Sequence, residues 1–170
     1  MAATYRVDVF HGAGPSASAW TSGGRFHRAD TDPTSDGSTT FIPVPTSGTN
    51  YSWRKAFKLN VTGAPSGTVS NLRFFSDGVL WGTGITCYGK ASASYTQASS
   101  SDNTALFDGS AVDITTYTSG SPLTINAGTV VSATTGYGTQ NYLVLQVGVA
   151  ASASPGVTSA RTLSYRVDET

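Results

Sequence analysis

Apolar and polar residues alternate with a period of two along most of this chain. Tyr5, Val7 and Val9 alternate with Arg6 and Asp8, and Trp53, Phe57, Leu59 and Val61 share one parity of segment 52–61 while Arg54, Lys58 and Asn60 share the other. Segments 69–75 and 142–149, and the run Leu163, Tyr165, Val167, follow the same rule. Successive side chains of a strand point to opposite faces, so the pattern predicts half-buried strands. Turn-forming clusters separate them: Gly12-Ala13-Gly14-Pro15, Thr46-Ser47-Gly48, Gly63-Ala64-Pro65-Ser66-Gly67, Ser76-Asp77-Gly78 and Ser119-Gly120-Ser121-Pro122. No window of about eleven residues carries a helical stripe, and 19 glycines disfavour one further. A short helical turn near 101–107 is the most the pattern admits. The expectation is an all-β, antiparallel β-sandwich, jelly-roll-like, forming a single domain over 1–170. Its core is expected to draw on Val7, Val9, Trp53, Phe57, Leu59, Leu72, Phe74, Ile85, Leu143, Leu145, Val147, Leu163 and Tyr165.

Region 11–50 departs from the alternation. It is rich in Gly, Ser, Thr and Asp, with Pro33, Pro43 and Pro45, and reads as a long irregular loop region. Within it Phe41-Ile42-Pro43-Val44-Pro45 can form only an edge strand, because proline donates nothing to a ladder. The two ends of the chain share a tetrapeptide, Tyr5-Arg6-Val7-Asp8 and Tyr165-Arg166-Val167-Asp168. Laid antiparallel, Arg6 faces Asp168 and Asp8 faces Arg166, so the N- and C-terminal strands are expected to be adjacent in one sheet.

Charge sharpens the picture. Ten basic and ten acidic residues cancel, which gives no broad attraction to nucleic acid or to an anionic membrane. One cysteine excludes an internal disulfide. No apolar h-region follows a basic start, so no signal peptide is expected, and no run is long enough to span a membrane. From Ile114 to Ala160, 47 residues in a row carry no Asp, Glu, Lys, Arg or His. Exposed strand edges are commonly defended by charge, so part of this stretch is expected to be covered by neighbouring subunits, with Tyr117, Leu123, Ile125, Val130 and Tyr137 as interface residues.

Motifs that could carry chemistry mostly fail on context. Gly12-Ala13-Gly14-Pro15-Ser16-Ala17 spells GxGxxA but opens no helix, so it cannot present amides to a pyrophosphate. Ser52-Trp53-Arg54-Lys55 and Ser101-Asp102-Asn103 match two signatures of serine β-lactamases, yet the first lies in an alternating segment and no lysine follows the second. His11 and His27 are the only bases for a triad and lie near no nucleophile elbow. Glu169, next to the C-terminus, is the only Glu, and most Asp residues sit in turns where backbone bonding explains them, which argues against a carboxylate pair of the glycosidase kind. Arg54, Lys55 and Lys58 beside Trp53 and Phe57 are split between two faces and do not make a stacking groove for single strands. Asp30, Asp32 and Asp36 are the weak calcium candidates, as oxygen ligands at spaced loop positions. Trp20 and Trp81 are candidate sugar-stacking residues. No cofactor is expected and no enzyme activity.

Several passages, read together, resemble the small β-sandwich structural proteins of tailed-bacteriophage virions. They are Tyr5-Arg6-Val7-Asp8-Val9-Phe10, the passage from Phe41-Ile42-Pro43-Val44-Pro45 to Gly48-Thr49-Asn50-Tyr51-Ser52, Val69-Ser70-Asn71-Leu72-Arg73-Phe74 with Asp77-Gly78, and the closing Arg161 to Glu169. The resemblance implies a non-enzymatic virion component, made in the host cytoplasm, that decorates or cements a capsid. Its implied partners are further copies of itself, as a homo-oligomer with a trimer favoured, and other virion proteins such as a major capsid protein. Nucleic acid and membrane are not among them. The alternatives are a tail or fibre component, or a carbohydrate-binding, adhesin-like module.

Overall fold

The structure is a computed structural model that describes residues 1–21, 24–31, 40–102, 112–156 and 158–170. Its strands are β1 (Thr4–His11), β2 (Ser16–Ala19), β3 (Thr49–Tyr51), β4 (Lys55–Gly63), β5 (Thr68–Ser76), β6 (Ile85–Ser92), β7 (Val112–Asp113), β8 (Leu123–Ser132), β9 (Tyr142–Ala150) and β10 (Leu163–Glu169). All pairings between them are antiparallel. A large sheet of seven strands runs in the order β2-β1-β4-β9-β6-β7, with β3 also on β9; a small sheet runs β10-β5-β8. The expected all-β sandwich is present. A jelly-roll order is not singled out by this unequal seven-and-three arrangement. The expected helical turn near 101–107 lies mostly outside the described residues.

One core joins the layers. Val9, Phe57, Leu59, Val61, Cys87, Leu143, Leu145, Val147 and Val149 from the large sheet meet Val69, Leu72, Phe74, Ile125, Val130 and Val131 from the small one. Burying each such aliphatic or aromatic side chain contributes roughly 1.5–3 kcal/mol. Val7, Ile85, Leu163 and Tyr165 pack on this core partly buried. A 3-10 turn at Ile114–Thr116 closes one side, its Thr115 N–H donating to Asp113 Oδ1 at 2.9 Å. Ile114 fits there because residue 89 is glycine: a Cβ at Gly89 would lie 2.6 Å from Ile114 Cγ2.

Alternation breaks where the ladder does. Val69 is buried on one parity and Leu72, Phe74 and Ser76 on the other. Between them Asn71 takes a positive φ of 52° at a shift of register against both β8 and β10. A bulge of this kind inserts one residue and so swaps the faces, and Asn tolerates the left-handed region better than most residues.

The terminal strands are not neighbours. β1 pairs with β2 and β4 in the large sheet, whereas β10 pairs with β5 in the small one. The expected charge ladder has a local competitor. Arg6 and Asp8 lie on one face two residues apart and close on each other, Nε–Oδ1 2.6 Å and Nη2–Oδ2 2.9 Å. Asp168 instead accepts from Asn71, and Arg166 donates to the Ser119 carbonyl. The termini still meet across the sheets through Glu169, which accepts from Ala3 N at 2.8 Å and from the Tyr5 hydroxyl.

The outer face of the large sheet carries a second, smaller cluster. Phe10, Ala56 and Val144 lie beneath Tyr88, Tyr95, Tyr137 and Tyr142. Phe10 meets Tyr142 edge-on at 5.3 Å, and Lys58 Nζ sits 4.1 Å from the Tyr142 ring centre. Asp8 is buried under this layer. Burial alone would raise its pKa, but donors from Arg6, Tyr137 and Asn60 hold it below the ordinary value.

Candidate functional site: the loop-bearing end of the sandwich

Trp20, segments 24–31 and 40–54 and the loop 77–84 gather at one end of the sandwich. Trp20 packs edge-on against Phe57 at 4.9 Å, and Phe26 lies between Phe57 and Trp81. The chain passes so close over Trp20 that a Cβ at Gly24 would lie 2.5 Å from its ring. These aromatics close the core at its end. Beneath them Lys55 and His27 are buried, with Nζ 3.3 Å from His27 Nε2 and Nζ donating to the Ala29 carbonyl at 2.8 Å. Burial, with the Lys55 charge alongside, lowers the His27 pKa to about 4. Its Nδ1 is buried without a partner.

On the flank of this end lies a depression of about 400 Å³, open to solvent and lined by Arg28, Thr40, Phe41, Pro43, Trp53 and Ser100. Its walls are held by backbone. Arg28 N donates to Thr40 O at 2.7 Å and Trp53 N to His27 O at 3.1 Å, while Asn50 Nδ2 donates to Pro43 O at 2.8 Å. Next to Trp53, Arg54 pairs with the fully buried Asp102 at 3.0 Å. Beyond the aromatic cluster the loop after β5 presents Val79 and Leu80, 51% and 71% exposed. They are pinned in place: Asp77 accepts from Val79 N and Thr162 N, and Arg161 Nε and Nη2 donate to the Leu80 carbonyl. The Thr162 N–H is the main cause that lowers the Asp77 pKa.

Ser52 Oγ accepts from Val147 N, and Asp102 anchors Arg54, so Ser52 and Asp102 of the two lactamase-like matches are tied into the structure. Gly12 and Gly14 sit in the turn from β1 to β2, ahead of a strand and not a helix. The Arg54, Lys55 and Lys58 cluster is dispersed into an ion pair, a buried site and a ring contact.

Several sequence expectations change here. Ile125 and Val130 are 2% and 4% exposed and belong to the core of this chain, although of opposite parity, because the β5–β8 register shifts between them. Tyr117 and Leu123 pack partly buried against the same core, and Tyr137 lies apart from them on the outer face of the large sheet, donating to Asp8. The five do not form one patch. Trp20 and Trp81 pack partly buried against the core, in T-shaped contact with Phe57 and Phe26 respectively. Trp53 is in the depression and not in the core, because β4 begins at Lys55 and its alternation does not reach back to 53. Phe41 to Pro45 forms no strand; Ile42 and Val44 pack on the core while Phe41 is 64% exposed. Asp30 accepts from Gly12 N and Gln97 Nε2. Asp32 and Asp36 lie outside the described residues, among which no three His, Cys, Asp or Glu side chains form a metal-holding group. Among them, too, no helix is long and apolar enough to cross a membrane.

The sequence pattern gave Arg28, Val79 and Leu80 no role and placed Phe41 only in an edge strand. A signal was present: Phe41 precedes a proline that bars a ladder, and Val79-Leu80 follow an Asp-Gly turn without a polar residue between them. Set against protein-family models, curated proteins and solved structures, the chain matches none.

Proposed function

We propose that the protein is a non-enzymatic virion component of the decoration or cement kind, which works by surface contact with copies of itself and with a neighbouring shell protein. The carrying observation is the exposure of the apolar side chains Phe41, Val79 and Leu80 on loops tied down by hydrogen bonds between side chains and backbone. Prepaid ordering of a contact loop lowers the entropy cost of association, and repetition over a symmetric shell multiplies weak contacts into avidity. The catalytic alternative has less support, since the buried Asp8, Asp102, His27 and Lys55 are all held in structural hydrogen bonds.

The test is fractionation of virion-containing lysate on a density gradient. The chain is expected to band with particles, and a Phe41→Ser, Leu80→Ser variant to shift toward the unassembled fraction with its melting temperature unchanged. Recovery of the unaltered chain only at the top of the gradient overturns the proposal. Banding with tail or fibre fractions instead of shells moves the protein to that part of the virion.

A further inference from the structure

We propose that the depression lined by Arg28, Thr40, Phe41, Pro43, Trp53 and Ser100 is a binding site for an acidic saccharide, a sugar chain carrying carboxylates. The proposal stands whether or not the chain belongs to a virion. Its first support is a contrast among the three tryptophans. Trp20 and Trp81 are edge-on to internal phenylalanines, whereas neither Trp53 nor Phe41 makes a ring contact among the described residues. Tryptophan is enriched where a large rigid surface is left for a partner to cover. Here two such rings line one hollow, whose volume falls in the range of roughly 300–1,000 Å³ usual for small-ligand sites.

The second support is charge. Arg28 is the one basic side chain in the lining and makes no ion pair among the described residues, while the nearby Asp102 is already taken by Arg54. A guanidinium presents paired N–H groups that match a carboxylate. The hydroxyls of Thr40 and Ser100 likewise have no hydrogen bond within the described protein. A pyranose ring offers what this lining lacks: a C–H face for the aromatics, hydroxyls for Thr40 and Ser100, and, if it is a uronic acid, a carboxylate for Arg28. An acidic peptide offers the carboxylate without the flat apolar face.

The walls are preformed, since Arg28, Trp53 and Pro43 are fixed through their own or adjoining backbone groups. A hollow open to solvent takes an internal stretch of a chain as readily as its end. Binding is therefore expected of an oligosaccharide rather than of a free monosaccharide alone.

The full chain is titrated with tetragalacturonate, with maltotetraose as the neutral control and tetraglutamate as the peptide control, read by tryptophan fluorescence and calorimetry. The uronate is expected to bind at least about fivefold tighter than either control. Trp53→Ala is expected to lower its affinity about tenfold or more, a loss typical of an aromatic stacking partner. Arg28→Gln should reduce the uronate to the level of the neutral sugar. Raising salt from about 0.05 to about 0.5 M should weaken the uronate alone, since screening acts on the charge and not on the rings. Phe41→Ala, at a side chain too exposed to matter for folding, gives a severalfold loss and guards against a Trp53 variant that fails to fold. No binding of the uronate at about 10 mM overturns the proposal, as does equal affinity for tetraglutamate or for maltotetraose. Affinity unchanged in both the Arg28 and Phe41 variants also overturns it.

Discussion

The two edges of the small sheet solve one problem by different means. β10 is the charged edge: Arg166, Asp168 and Glu169 stand exposed along it, as expected of a strand that must not pair with strangers. β8 has no charge at all, yet its free edge is covered by the chain's own segment 139–141. Thr139 N donates to Val130 O at 3.1 Å, Thr139 Oγ1 to Thr129 O at 3.0 Å and Asn141 Nδ2 to Ile125 O at 3.0 Å. Asn126 Nδ2 returns a bond to Thr139 O at 3.2 Å. The comparison teaches that an absence of charge is weak evidence for a missing partner. Much of the 114–160 stretch is neutral for internal reasons: β9 lies between β4 and β6 with residues 143–149 all buried, and the β8 edge is sealed from within.

If the seal on β8 matters, the largest effect comes from Gly138. Its φ is +57°, and a Cβ would lie 1.8 Å from Val130 O, so Gly138→Ala must push the covering segment away. A loss of about 3 kcal/mol, from backbone strain and the broken seal together, is expected in the urea midpoint. Aggregation detected by light scattering should accompany it. A soluble variant of unchanged stability would show that the seal is incidental.

Acid separates both edges from the loop end. The unfolded chain binds a proton on His27 near pH 6.5, whereas the folded site resists it until about pH 4. Stability therefore falls as pH drops through that window, by on the order of 3 kcal/mol, and levels off below it. His27→Gln should flatten this part of the curve. A slope that persists in the variant would place the acid sensitivity elsewhere, for example at the charged β10 edge.

Asn141→Ala removes one bond and leaves the Ile125 carbonyl without that donor, for an expected loss of about 1 kcal/mol. On the β10 side the sign reverses. The Tyr165 hydroxyl is buried without a partner while its ring packs 6.0 Å from Phe74, so Tyr165→Phe keeps the packing and is expected to stabilise by about 1 kcal/mol. Asp168→Asn, at an exposed position bonded to Asn71, should change thermal stability by less than about 0.5 kcal/mol. A large loss there would mean that the charged edge is held by its side chains and not merely guarded by them.

Strand identity was legible in the sequence because the signals are local: alternation marks β4 and Gly-Pro-Ser-Asp clusters mark strand ends, but the alternation expected of 142–149 is absent, since β9 is central and buried on both faces. The candidate site was scarcely legible. Trp53 shares parity with Phe57, and only the start of β4 at Lys55 takes it out of the core. Trp20 and Trp81 stood as exposed platforms until Phe26 and Phe57 were placed against them. Lys55 and Asp8 are buried because distant segments supply their hydrogen bonds, which no local pattern announces.

The amino-acid order by itself thus determined the all-β class, the turns and most of the inward-facing side chains, since each depends on neighbours within a few residues. The tertiary structure alone decided which sheet received each terminal strand. Arg6 could satisfy its charge on Asp8 at short range, while the hydrophobic match of Val7 and Val9 to Leu59 and Phe57 drew β1 into the large sheet. Pairing is a competition among distant segments, and its outcome is set by burial summed over the whole core.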